Sequence, residues 1–498
     1  MTDLYITTSI PYVNGAPHLG HALELVHVDA LARHRAATGA AVRVQSGTDD
    51  HALKNVAAAA EAGVGVAEFV ASHGDRFADL AHALGVRTDA FVRTSRDPCH
   101  PQGVRRLWTA CAAAGDLYRK DYTGRYCTGC EQFYAPEELV DGACGEHPAD
   151  AVSEVSETNW FFRLSAYRDR ISDLIRSGRI EVSPAERRHE VLGFLAGEVL
   201  DLSVSRPAAR AAGWGIGVPE DPDQVIYVWF DALANYLTGL GYGTADEGHY
   251  RRWWSAATER VHVIGKGIIR FHAVYWIAFL LSAGLPLPTR ILVHDYLTVN
   301  GSKISKSGAV AADPATLIAE YGQDAVRWCL LREPARLGTT DVTTERLVGA
   351  YNRDLANTVG NLASRTLTLA RARTASRNAP EPGPGQDLLT RGRTLRATVT
   401  AALTRYDVRS ACEAIIEVAA SANRFLEAEA PWHLARAAHA GDRAAAARFD
   451  AVINAVLSTC DLVAEELEPF VPDGARRLRT QLTSGEPKPS PAFPRLQR

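Results

Sequence analysis

Along the first 115 residues the apolar positions switch between two periods. Residues 4–10 read as a buried strand, residues 11–17 as turn chemistry, and Ala22, Leu23, Val26, Ala30 and Leu31 recur at helical spacing. A second strand is expected at 41–45, with another helical pattern after it. Strand patterning returns near Val225, at 260–264 and at 290–293. From about Glu345 to the end the pattern is helical and rich in Ala and Leu. This alternation predicts a parallel α/β sheet split by an insert, then an all-α bundle.

Two short stretches carry chemistry. His18-Leu19-Gly20-His21 falls where the first helix should begin, with both rings on one side. A helix N-terminus offers unpaired N–H groups and positive dipole, so it attracts phosphate. Lys303-Ile304-Ser305-Lys306-Ser307 follows an Asn300-Gly301 pair, a strong hairpin signal, and is expected on a loop. The chain has 54 Lys and Arg residues but only six lysines, and Lys266, Lys303 and Lys306 are three of them. A chain that defaults to Arg and uses Lys here is placing compact, flexible charges suited to phosphate. Alone, each stretch also reads as a capped helix or a solvated basic loop. In this order they point to activation at the α-phosphate of ATP.

The motifs together resemble the class I aminoacyl-tRNA synthetases, and specifically the methionyl-tRNA synthetases, from about residue 4 to the Ala492-Phe493-Pro494-Arg495 tail. His18–His21 matches the HIGH signature and Lys303–Ser307 the KMSKS signature. Further matching segments are Gly47-Thr48-Asp49-Asp50-His51, Val228-Trp229-Phe230-Asp231-Ala232-Leu233, Ile264-Gly265-Lys266 and Phe271-His272-Ala273-Val274-Tyr275-Trp276. The resemblance implies a Rossmann-type catalytic domain, a zinc-knuckle insert and a helical anticodon-binding domain. It implies use of ATP with Mg²⁺, L-methionine and tRNA(Met) as partners, and His18, His21, Lys303 and Lys306 as catalytic groups. ATP contacts are expected at His18, Gly20, His21, Gly265, Lys303, Ser305 and Lys306. Asp49 is expected to take the substrate ammonium. The side chain of the substrate is expected among Ile10, Tyr12, Trp229, Ala232, Leu233, Tyr236, Ile268 and His272; four of these share one helical face, which also fits plain core packing. Asn361, Arg365 and Trp432 are expected to read the anticodon by stacking and hydrogen bonding.

Of eight cysteines, Cys127, Cys130 and Cys144 cluster with His147 in two short chelating pairs, flanked by Gly129, Gly142 and Gly145. That spacing predicts a tetrahedral Cys₃His zinc site. Four protein ligands leave no open position, so the metal is expected to be structural. No basic segment followed by an apolar core opens the chain, and no run of about 18 apolar residues occurs, so a cytoplasmic protein without membrane contact is expected.

Net charge is −4, but residues 346–498 hold 21 basic and 16 acidic residues, leaving 33 and 42 elsewhere. A basic bundle on an acidic body fits a polyanion contact there. The expected divisions are 1–115 and 226–293 for the two catalytic halves, 116–225 for the insert, 294–345 for a KMSKS-loop stem-contact region, and 346–498 for the bundle. A monomer is expected, because the extra C-terminal domain of some relatives is not matched.

Departures from the family pattern are Ile304 for Met, Gly308-Ala309-Val310 for Leu-Gly-Asn, and Gly267 for an Asp that handles the adenosine ribose. Leu200 replaces an Arg, and Asp295 and Ala52 replace glycines. Met1 is the only methionine, which fits either economy in the cognate amino acid or compositional drift. Two further functions fit this set: an adenylating paralogue with altered amino-acid or acceptor use, and a non-catalytic tRNA-binding protein.

Overall fold

Five parallel ladders build a six-stranded sheet in the order β3 (Ala90–Arg93), β2 (Ala41–Thr48), β1 (Asp3–Thr7), β12 (Glu259–Gly265), β13 (Arg290–His294) and β7 (Glu181–Ser183). Strand β1 (Asp3–Thr7) leads through helix α1 (Leu19–Ala37) to β2 (Ala41–Thr48). Helices α2 (Leu53–Glu61) and α3 (Val66–Ala83) lead to β3 (Ala90–Arg93), and α4 (His100–Ala113) follows. The order reverses between β1 and β12 (Glu259–Gly265), and in such a sheet ligands bind at the carboxyl ends of the strands flanking that reversal. In the computed structural model residues 2–127, 132–134, 138–145, 149–303, 313–372, 383–483 and 490–497 are described. The chain divides into two units, 1–28 with 35–296, and 29–34 with 297–498.

Parallel strands are covered on both faces and therefore read as apolar runs; in β1 every residue after Asp3 is buried. Strand β2 runs to Thr48, three residues past the expected end. Its second half is polar but buried, and its side chains reach partners on other elements: Gln45 donates to the backbone and side-chain oxygens of Asn235 at 3.0 and 2.9 Å, and Ser46 bonds Thr8 at 2.8 Å. Tyr5, Trp254 and Trp276 pack beneath the sheet, with Trp254 6.0–6.1 Å from each of the other two rings.

A long antiparallel ribbon of β4 (Leu117–Cys127) and β6 (Val152–Phe162) forms the insert, flanked by β5 (Gln132–Tyr134) and β8 (Leu202–Ser203). Between them, α5 (Arg168–Arg176) precedes β7 (Glu181–Ser183), which pairs with β13 (Arg290–His294) as the sheet's last strand although it lies within the stretch expected to form the insert. Helix α6 (Ala185–Ala196) follows. A small sheet of β9 (Ser205–Pro207), β10 (Gly217–Val218) and β11 (Asp221–Ile226) leads into α7 (Val228–Thr238).

The second unit opens on β14 (Leu297–Val299), which pairs with β15 (Ser302–Lys303) and β16 (Thr340–Asp341). Asn300 and Gly301 adopt φ of 52° and 73°, the positive pair of a type I′ hairpin turn. Lys303 thus lies in a strand rather than on the expected loop, since the turn closes two residues before it; Ser305 and Lys306 lie outside the described residues. Helices follow from Pro314, the longest being Gln386–Thr404, Val408–Glu429 and Arg443–Leu467. Asp407 caps the second of these through Ser410 N–H at 3.1 Å, and Asp442 caps the third through Ala444 and Ala445. Arg327 is fully buried in this unit. It pairs with Asp29 at 2.7 Å and donates to the carbonyls of Pro469 and Phe470.

Removing one partner of a buried ion pair leaves an uncompensated charge. Asp29→Ala should destabilise this unit by about 3–5 kcal/mol, read as an earlier urea transition than that of the wild type.

Candidate active site

The loops after β1 and β2 are tied together at the sheet's carboxyl edge. Asp49 N–H donates to Pro11 O at 2.9 Å, and Tyr12 and Asp49 form a parallel bridge. Asp49 is buried immediately after β2, and its carboxylate accepts from His51 N–H at 3.2 Å. Gly47 makes this approach possible. A Cβ there would lie 2.3 Å from Val92 O and 3.1 Å from an Ile10 methyl.

Across the same edge, His18 and His21 stack with ring centroids 3.8 Å apart at the start of α1. His18 N–H donates to His21 Nδ1 at 3.0 Å, and Gly20 N–H donates to His18 Nδ1 at 3.1 Å. A backbone N–H can only donate, so both rings carry their proton on Nε2 when neutral. Burial holds the His18 pKa down at about 4, and burial with the neighbouring His18 and His294 lowers that of His21 well below its ordinary value. The pair is therefore two neutral Nε2–H donors. Gly20 is required here because a Cβ would stand 2.9 Å from the His18 ring.

Two short directional hydrogen-bond chains run through and beside residues expected to line the pocket. Trp276 Nε1–H donates to His262 Nε2 at 3.3 Å, so His262 Nδ1–H donates to Thr7 Oγ1 at 2.9 Å. Separately, Tyr236 O–H donates to His272 Nε2 at 2.7 Å. His272 Nδ1–H ends the chain on Ile268 O at 3.0 Å. An indole can only donate and a carbonyl can only accept, so both ends fix the polarity of every link. Burial lowers the pKa of His262 and brings that of His272 to about 4. Both donors of Tyr236 and His272 are consumed within the relay. Trp229 stacks on Phe271 at 3.8 Å and meets Tyr12 edge-on at 6.2 Å; its buried Nε1–H has no hydrogen-bond partner among the described residues. Ala232 and Leu233 are buried on α7, where almost every position is buried, so helical spacing alone did not single out a face.

Two clusters had no role in the sequence reading. Asp231, in the same apolar helix, accepts from His51 Nδ1 at 2.6 Å and His100 Nε2 at 2.5 Å. Burial opposes the Asp231 charge, but the two imidazoles outweigh it and hold the carboxyl well below its usual range. Burial likewise opposes charge on His51, while Asp231 and Asp50 raise its pKa overall. The second cluster is Glu24, which accepts from Ser9 N–H and O–H at 2.6 Å and faces His294 Nε2 at 3.0 Å. A buried carboxylate inside an apolar run was the available signal for both.

Cys127 and Cys144 bring their sulfurs within 3.5 Å. That is far beyond a disulfide and close to the ~3.8 Å that two ~2.3 Å bonds to tetrahedral zinc subtend. Cys130 and His147 lie outside the described residues, and among the described residues no group of three or more ligands could hold a metal. In the helical unit Asn361 and Arg365 stand one turn apart on the helix Asn361–Ala372, the first exposed and the second paired with Glu427 at 2.5 Å. Trp432 is half-buried in the first turn of Pro431–His439. No helix among the described residues is long and apolar enough to cross a membrane.

A family model described as tRNA synthetases class I (M) matches residues 4–153 and 148–367, and one for the anticodon binding domain of methionyl tRNA ligase matches 381–492. Methionine–tRNA ligase of Mycobacterium bovis is 38% identical over 525 residues, covering 100% of this chain and 98% of the relative. That of Rhizobium meliloti is 36% identical, covering 99% and 98%. The solved structure of Mycobacterium tuberculosis methionyl-tRNA synthetase in complex with methionyl-adenylate matches with a TM-score of 0.91 at 37% identity, covering 99% of this chain and 100% of that one. The apo form of the same enzyme matches with a TM-score of 0.85 at 35% identity, covering 100% and 99%.

The buried neutral histidines make stability depend on pH. Their folded pKa values lie below the unfolded value of 6.5, so the unfolded chain binds more protons between pH 6.5 and 4. The part of the stability set by His18 and His272 should be full above pH 6.5 and fall as pH drops towards 4, by on the order of 3 kcal/mol for each. Urea midpoints across this range should show the slope, and His272→Gln should flatten it.

Proposed function

The chain belongs to the methionyl-tRNA synthetases of class I, and from that premise we propose how its own residues divide the reaction. It is a methionine–tRNA ligase. The methionine carboxylate attacks the α-phosphorus of ATP, pyrophosphate leaves, and the adenylate then passes its acyl group to the 3′ end of tRNA(Met). The full-length likeness to ligases does not favour an adenylating paralogue or a non-catalytic tRNA binder. The observation that carries the assignment of roles is the tautomer-fixed pair His18 and His21 on the same sheet edge as Asp49.

On this reading the two Nε2–H groups donate to the phosphates, with Gly20 and Gly265 allowing close approach. Being neutral, they stabilise developing charge as oriented dipoles, without proton exchange during the step. Mg²⁺ supplies neutralising charge on the phosphates when bound. Lys303, Ser305 and Lys306 act on the leaving pyrophosphate. Asp49 receives the substrate ammonium, its orientation set by His51, which Asp231 holds. Ile10, Tyr12, Trp229, Ala232, Leu233, Tyr236, Ile268 and His272 enclose the thioether, which an aromatic wall suits. Because the relay consumes the Tyr236 and His272 donors, selection rests on shape and polarisability more than on a hydrogen bond to sulfur.

Zinc fits the insert: the Cys127–Cys144 separation suits two thiolate ligands of one ion, and Cys130 and His147 would complete the set. The ion would order the knuckle and take no part in the chemistry. Asn361, Arg365 and Trp432 read the anticodon, Trp432 by stacking. The divisions 1–115, 116–225, 226–293, 294–345 and 346–498 remain our functional partition, for a monomer working in the cytoplasm.

Methionine should drive ATP–pyrophosphate exchange, and Tyr12→Ala or His272→Ala should raise its KM. Exchange with another amino acid and none with methionine would overturn the specificity. Metal analysis of the purified protein should find about one zinc per chain, lost in Cys127→Ala; a metal-free wild type would remove the knuckle. Trp432→Ala and Arg365→Ala should leave exchange intact but cost about 1–3 kcal/mol each in kcat/KM for charging. Unchanged charging in Trp432→Ala would rule out anticodon reading through that site.

A further inference from the structure

His100 is the first residue of α4 and is fully buried. Helix α7 presents Asp231 and Thr238 on one face, at i and i+7, and α4 presents His100 and Gly103 at i and i+3. A Cβ on Gly103 would stand 2.4 Å from the Thr238 methyl and 2.6 Å from Tyr242 O, so the glycine lets the two helices meet. That approach sets His100 between the two α7 side chains. Its Nε2 lies 2.5 Å from Asp231 Oδ1, and its Nδ1 lies 2.7 Å from Thr238 Oγ1.

A carboxylate only accepts, so His100 carries a proton on Nε2, and Nδ1 of the neutral ring accepts from the Thr238 hydroxyl. Both ring nitrogens are committed. The other oxygen of Asp231 faces His51 Nδ1 at 2.6 Å. Two imidazoles from two elements, α4 and the loop after β2, thus hold the two oxygens of one buried carboxylate.

His51 carries this order to the site, because its backbone N–H donates to the Asp49 carboxylate at 3.2 Å. Other groups fix the neighbouring peptides: Asp50 N–H donates to Thr94 Oγ1 at 2.9 Å, Trp214 Nε1–H to Asp50 O at 2.8 Å, and the Asn55 amide to Asp49 O at 2.9 Å. The Asp49 carboxylate itself is steered from the His51 amide, whose place follows the His51 ring. Without His100, Asp231 Oδ1 would be a buried acceptor missing its donor, and the carboxylate would turn, taking the His51 ring with it. We infer that His100 is a positioning residue for amino-acid recognition, acting through Asp231 and His51 on the Asp49 carboxylate. The inference rests on the reading above in which Asp49 receives the substrate ammonium.

The test is ATP–pyrophosphate exchange, with the desamino analogue of methionine as competitive inhibitor; it keeps the thioether and the carboxylate but has no ammonium. His100→Ala should raise the KM for methionine about tenfold, as expected when a charge-assisted hydrogen bond to the steering carboxylate is lost. The KM for ATP and the inhibition constant of the analogue should stay within about twofold, because neither depends on an ammonium contact. His100→Gln, whose amide N–H reaches towards the Nε2 position, should recover most of the methionine affinity. Thr238→Val keeps the shape but removes the hydroxyl that orients the ring, and should raise the same KM in the same selective way; it decides the matter if His100→Ala does not fold. The inference is overturned if the KM for methionine stays within about twofold of the wild type, if the KM for ATP or the analogue's constant rises with it, or if His100→Gln is as poor as His100→Ala. Failure of the underlying reading looks different: Asp49→Asn would then leave the KM for methionine unchanged, or the wild type would show no methionine-dependent exchange.

Discussion

The site depends on a hydrogen-bond relay whose ends can face only one way. It runs in two parts, from the Trp276 indole N–H through His262 to Thr7, and from Tyr236 through His272 to the Ile268 carbonyl. The first ties the helical segment after β12 to β12 and β1, and the second ties α7 to that same segment. It also decides protonation. Every ring nitrogen in the chain is committed, and adding a proton to His262 or His272 would leave a buried donor facing another donor. Burial lowers the His272 pKa in the same direction.

The relay explains why the fold was largely legible and the site only partly so. Apolar runs announced β1, β12 and β13, and the Asn300-Gly301 pair announced a hairpin, because those signals are local. The polar half of β2 was hidden, since Gln45 and Ser46 bond Asn235 and Thr8, far away in the chain. The same holds for Asp231, whose partners His51 and His100 lie 180 and 131 positions distant. Periodicity records a residue's neighbours along the chain, and a buried ion cluster is defined by neighbours across it. The motif segments brought His18 and His21 to notice, but their tautomers needed backbone coordinates.

Electrostatically the unit of the sheet is divided. Around α1 and the pocket, burial keeps histidines neutral. Behind the Asp49 loop, Asp231 and Asp50 favour a charged His51. On the proposed reading the neutral donors serve the polyanionic substrate, while the ionic cluster lies by the Asp49 loop.

The bridge between Tyr12 and Asp49 has a mechanical consequence. The Pro11 carbonyl and the Asp49 amide lock the two loops into one lever, with an aromatic wall at one end and a carboxylate at the other. On the proposed assignment, an amino acid that seats its side chain on Tyr12 would pre-set the carboxylate for its ammonium. Recognition of its two halves would then be cooperative, and a fragment presenting only one half would forfeit more than its own contacts, because the lever is left unloaded at the other end.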